Sequence, residues 1–261
     1  MEAFSSLALL SGVATENIML AAAIFTRMSA LAFFLPGLGE RAVPVRVRLT
    51  AAMAVTLVIS PVLMSGFTPP ATIAHTVAML VAEAVSGALI GFSIRIAVFA
   101  IQTAGAIASQ SLSLAQLFGS NFGYQPESPI ANLLMFAAVV VAVSSGLHFQ
   151  AVSVLVVFYD IIPVGVFPGG SQTGEWAANR AAFAFSAAMS LALPFIVLGF
   201  MYNLAIGAAN RAMPQLMVAF VGIPAVTLAG MMLLAMTAPM LLGIWLDMVG
   251  DLIGELMGYA Q

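Results

Sequence analysis

The chain has 261 residues, 62% of them hydrophobic and only 7% charged, against about a quarter charged in an ordinary soluble domain. So little polar surface cannot cover a water-soluble particle, and it predicts an integral membrane protein. The absence of cysteine excludes a disulfide framework and a thiolate metal site. A net charge of −3, with every basic residue an arginine, excludes the basic patches that nucleic-acid binding requires.

In chain order, Glu2 and Glu16 stand where a secretory signal would carry positive charge, and no cleaved signal peptide is expected. A span needs ~20 apolar residues. The first runs from Ile18 to Leu38 and contains Arg27. A charged loop, Gly39 to Arg48, follows. A second span runs from about Leu49 to Met64, and Gly66 to Pro70 form a breaker-rich turn. The third segment, Ala71 to about Ala108, is too long for one upright span. It is either one long tilted helix or two helices broken near Gly87 or Gly91. Ser109 to Pro129 is the least hydrophobic stretch. Ile130–Leu147 and Phe149–Val166 read as an apolar hairpin. A long helix is expected from Trp176 to Ala209, kinked at Pro194. A last hairpin is expected from Gln215 to Thr237 and Pro239 to Tyr259. The fold class is all-α: a multi-pass helical membrane protein with long broken helices and helical hairpins. No strand-period alternation is present.

Arg41, Arg46 and Arg48 share one loop, which the positive-inside rule places in the cytoplasm. Arg27 lies mid-span, where a charge either faces a protein interior or snorkels to the interface. Glu83 and Arg95 lie twelve residues apart on the third segment. On a continuous helix that is ~120° around and ~18 Å along the axis, so they cannot pair. Each needs a partner elsewhere, on this chain or another.

Gly87-x-x-x-Gly91 permits close approach of helix backbones, and Gly250, Gly254 and Gly258 repeat the spacing. Beside the latter, Asp247, Asp251 and Glu255 form an acidic row at i, i+4, i+8. It reads as a solvated or headgroup-facing face, or as a subunit-docking surface. Met213, Met217, Met231, Met232 and Met236 cluster late in the chain, as core filling or as a soft seal around a moving chain. No metal, cofactor or nucleotide site is legible. His75 and His148 belong to no HExxH pattern, and neither Gly-x-Ser-x-Gly nor a P-loop is present. The protein is not expected to be an enzyme. Arg27, Glu83 and Arg95 with broken helices also fit a secondary transporter of small solutes, but the inverted repeat of that class is not visible.

Several motifs, in order, carry a resemblance. Arg27, Pro36, Glu40-Arg41-Ala42-Val43-Pro44 and Arg46-Val47-Arg48 come first. Glu83-x-x-x-Gly87-x-x-x-Gly91-Phe92, Thr103-Ala104-Gly105 with Gln110, and Ile162-Pro163-Val164-Gly165 follow. Leu193-Pro194, Asn203 to Gly207, Asn210-Arg211-Ala212-Met213-Pro214-Gln215-Leu216 and Gly222-Ile223-Pro224 complete the set. Together they resemble the FliR family of type III export-gate proteins, which includes the injectisome T-type proteins, over roughly residues 20 to 240. The Arg-Ala-Met-Pro-Gln segment leans to the flagellar branch. Two departures stand out. The central loop reads Gln110-Ser111-Leu112 where the family has Gln-Met-Gly, with no Asp-Pro after it. The family's Gly-His turn reads Gly146-Leu147-His148.

The resemblance implies a channel subunit for unfolded flagellar proteins in the bacterial inner membrane, at the flagellar basal body. A single R-type copy would assemble with P-type and Q-type subunits, near B-type and A-type export proteins. Residues 1–190 would be P-like and 191–261 a Q-like helical hairpin. A central loop, about 109–129, would plug the pore. Leu112, Leu114, Leu117, Phe118, Phe122 and Tyr124 would exclude water there, with Gly119 and Gly123 as hinges.

Overall fold

The computed structural model describes residues 2–63, 67–112, 129–212 and 218–258. All secondary structure among them is α-helical. The helices are α1 (Glu2–Phe34), α2 (Val45–Leu63), α3 (Ile73–Ser111), α4 (Pro129–Ser144), α5 (Leu147–Ile161), α6 (Gly170–Ala212) and α7 (Val218–Gly258). Among the described residues five helices are long and apolar enough to cross a bilayer, or up to six spans if the bent pair α4–α5 counts as one. In lipid every backbone polar group must be satisfied within the chain, and helices do that locally.

Three sequence expectations are resolved or corrected here. The third segment is one continuous helix of 39 residues, ~58 Å long at 1.5 Å per residue, longer than the ~30 Å hydrocarbon core. Residues 130–161 do not form a hairpin. Gly146 takes a left-handed conformation (φ 78°) between α4 and α5, and the chain bends there by 68°. Residues 218–258 are likewise not a hairpin but one helix that carries Pro224 and Pro239 internally. Each proline removes one backbone donor, yet the helix continues across the break that composition suggested.

The chain divides into two compact units. The first comprises residues 1–95, 142–176 and 250–261; the second comprises 96–141 and 177–249. In the first, α1 packs on α2, and Leu20, Ile24, Met28 and Leu31 of α1 are buried, as are Ile90 and Ile94 of α3. A turn after α1 uses Gly37 at φ 91°, and Pro44 opens α2, its carbonyl accepting from the Val47 and Arg48 amides. In the second unit the interior holds Ile101, Leu112, Leu134, Leu191, Phe195 and Trp245. The Trp245 indole Nε1–H donates to the Ala97 carbonyl at 2.7 Å, which satisfies the one polar group of this large buried side chain.

Outside these interiors, large apolar residues face outward along α2 (Leu57, Val58, Val62), α6 (Phe185, Phe200, Leu204) and α7 (Leu228, Met232, Met236). Water does not tolerate apolar surface on that scale. These faces belong against lipid or another chain.

Candidate functional site

The best-defined polar constellation lies inside the first unit. Arg27 and Glu83 are both fully buried. Arg27 donates from Nε to Glu83 Oε2 at 2.7 Å and from Nη2 to Oε1 at 3.0 Å, a bidentate pair between α1 and α3. Nη2 also donates to the Ile162 carbonyl at 3.1 Å. Glu83 accepts two further bonds, from the Tyr159 hydroxyl at 3.1 Å and from the Gly165 amide at 2.8 Å. The Arg27 guanidinium lies over the Tyr159 ring, 3.8 Å from Cζ to the centroid. Its Nη1 has no hydrogen-bond acceptor among the described residues.

Four segments therefore converge on one carboxylate: α1, α3, the last turn of α5 and the turn 162–165. A buried ion pair survives only when its remaining lone pairs and protons are satisfied, and Glu83 receives four donors. Gly87 permits the close approach. A Cβ there would overlap the Arg27 carbonyl oxygen, and one at Gly91 would stand 2.9 Å from the Leu31 carbonyl oxygen. Gly165 sits at φ 80°, a conformation that turns its amide toward Glu83 and that glycine adopts freely.

A second pair organises the charged loop. Arg95 Nη1 meets Glu40 Oε1 at 2.5 Å, with both side chains mostly buried. Arg48 Nη2 donates to the Glu40 carbonyl at 2.5 Å. Glu83 and Arg95 thus do not pair with each other, and each has its partner on this same chain. Arg41, Pro44 and Arg46 are exposed around this loop.

The other sequence candidates are scattered. Gly250, Gly254 and Gly258 have nothing within 4 Å of a Cβ position. They lie on an exposed face with Asp247, Asp251 and Glu255, whereas Gly87 and Gly91 contact α1. Gln110 is exposed at the end of α3. Leu112 is buried against α7, where a Cβ at Gly230 would overlap its side chain. As placed, it belongs to the interior of the second unit. Leu114, Leu117, Phe118, Gly119, Phe122, Gly123 and Tyr124 lie outside the described residues, as do Met213, Pro214, Gln215 and Met217. Arg211 is exposed at the end of α6, and Met231, Met232 and Met236 are exposed on α7. Sequence reasoning missed Tyr159 and Trp245. Nothing in the local pattern separates either from an ordinary apolar position. Gly165 was visible only as part of a turn motif.

No group of three or more metal-ligating side chains occurs among the described residues. The class this defines is a helical multi-pass membrane protein whose buried charges, Arg27 and Glu83, tie its own helices together. The sequence pattern of the family described as "Bacterial export proteins, family 1" matches residues 18–252, and the chain belongs to that family. It is 28% identical over 239 residues to the flagellar biosynthetic protein FliR of Caulobacter vibrioides, covering 91% of this chain and 95% of that one. It is 29% identical over 216 residues to the FliR protein of Escherichia coli K12, with 82% of each chain covered. A FliR protein of Pectobacterium carotovorum matches at 29% over 218 residues, 83% of each.

Proposed function

We propose that this chain is a membrane-embedded subunit of the flagellar type III protein export gate, a structural component of a channel and not an enzyme. The carrying observation is the family match from residue 18 to 252, which runs through both compact units. Flagellar biosynthetic proteins of comparable span stand beside it.

On this reading the outward apolar faces of α2, α6 and α7 meet P-type and Q-type subunits as well as lipid. B-type and A-type export proteins act nearby, and the complex sits in the inner membrane at the flagellar basal body. Residues 1–190 act as the P-like portion and 191–261 as the Q-like portion. Arg27, Glu83 and Arg95 serve as internal fastenings. Ion pairs sealed within the chain present no open charge for a solute to bind, which weighs against a small-solute carrier. Unfolded flagellar proteins pass at the assembly's centre, and the loop of about 109–129 closes the pore.

Two experiments test this. A tagged chain extracted from bacterial membranes should retrieve P-type and Q-type subunits, and loss of the gene should abolish export of flagellar proteins and motility. Retrieval of neither subunit would overturn the reading. Deletion of Phe118 to Gly123 should raise ion leak through the assembled gate, and an unchanged leak would remove the plug assignment.

A further inference from the structure

We infer that Gly199 and Gly230 are positioning residues for the pore-closing loop: they seat Ser111 and Leu112 at its start, while Gly105 seats Ala131 just past its end. The inference deepens the export-gate reading and rests on its plug assignment.

All of these residues belong to the second unit. Helix α3 runs to Ser111, and the Leu112 amide still donates to the Ala108 carbonyl at 3.1 Å. A helix end is weakly held by its own bonds, since its last four carbonyls lack intrahelical partners. Here neighbouring helices supply the hold. Gly199 of α6 lies against the last turn of α3. A Cβ there would overlap the Ser111 carbonyl oxygen and stand 2.9 Å from the carbonyl carbon. Gly230 of α7 receives the next side chain, and a Cβ there would overlap Leu112 Cδ1. Leu112 is 1% exposed, so it has little room to turn away. Glycine at both positions allows an approach that a side chain would block.

The far side of the loop is fixed to the same helix. A Cβ at Gly105 would overlap the Ala131 Cα and stand 2.8 Å from the Ala131 nitrogen. Ile130 and Ala131 are buried in the first turn of α4. Helix α3 therefore holds both ends of the loop, and α6 and α7 hold its start. This placement makes Leu112 an anchor inside the fold and not a pore-facing side chain. Crowding at Gly199 or Gly230 is relieved most easily on the loop side. Helices α6 and α7 continue on both sides of these contacts, whereas Ser111 is the last residue of its helix. The displacement then falls on the start of the loop, and the population of the seated state drops.

Ion leak is measured across membranes that hold the assembled gate and is expressed per assembled complex, with the Phe118 to Gly123 deletion as the unplugged reference. Gly199→Ala and Gly230→Ala should each raise the leak about three- to tenfold. Gly87→Ala, whose Cβ would overlap the Arg27 carbonyl oxygen in the first unit, should destabilise the chain and leave the leak at the wild-type level. It separates seating of the loop from a general loss of stability. If Gly199→Ala does not assemble, Gly230→Ala decides, because its overlap is with the end of a flexible side chain. Wild-type leak in the assembled variants, or an equal rise in Gly87→Ala, would overturn the inference. No rise on deleting Phe118 to Gly123 would instead reject the plug assignment, and this inference with it.

Discussion

Arg27 and Glu83 are 56 residues apart in sequence, yet they form a bidentate pair at 2.7 and 3.0 Å with no solvent exposure on either side chain. The pair couples the C-terminal part of α1 to the N-terminal third of α3. Through Tyr159 and Gly165 it also fixes where α5 ends and the next turn begins.

Removing one partner leaves a buried, uncompensated charge, which costs ~3–5 kcal/mol. Glu83→Gln should therefore lower the thermal unfolding temperature in detergent strongly. Replacing both partners with apolar residues of similar volume, as in Arg27→Met with Glu83→Leu, should cost less than either single change. A double-mutant cycle on purified protein measures this. Additive losses would mean that the pair is not coupled.

Gly87 and Gly250 look alike as sequence and differ in place. Gly87→Ala forces a methyl group into the Arg27 backbone and should cost ~1–3 kcal/mol. Gly250→Ala meets open space and should stay within ~0.5 kcal/mol for the isolated chain. Comparing the two variants by thermal unfolding in detergent checks both.

The loop 39–48 is held at Glu40 by Arg95 from α3 and by Arg48. Arg95→Ala should release it at a cost of ~1 kcal/mol, a partly shielded pair being worth about that much. Limited trypsin digestion should then cut faster after Arg41 and Arg46, with the fragments read by mass spectrometry. Digestion at the wild-type rate would show that the pair does not order the loop.

Trp245 is buried and donates to Ala97, whereas Trp176 is more accessible. These are the two tryptophans of the chain. Trp176→Phe should leave blue-shifted fluorescence that iodide barely quenches. Trp245→Phe should leave an emission that iodide quenches readily, with stability reduced by ~1–3 kcal/mol for the lost indole hydrogen bond and the lost volume.

Much of the architecture was legible because the membrane imposes it. Long apolar runs must become helices in lipid, so composition alone determined the all-α class, the approximate spans and the need to explain each intramembrane charge. The ordered motifs of Glu40 to Arg48, Glu83 to Phe92 and Asn210 to Leu216 pointed to the export family. Where the sequence misled, prolines and glycines were the reason. Pro239 and the stretch near Gly87 suggested breaks, but α7 and α3 run continuously through them. Gly146 did break its helix, as a bend and not as a hairpin.

What only the tertiary structure decided is pairing. Helical periodicity shows that Glu83 and Arg95 cannot meet, but it carries no information about which distant residue each one finds. Such partners are chosen by packing between helices far apart in sequence. That packing placed Tyr159 under the Arg27 guanidinium and buried Leu112 against Gly230. A single sequence encodes these relationships only through the shape of the whole fold.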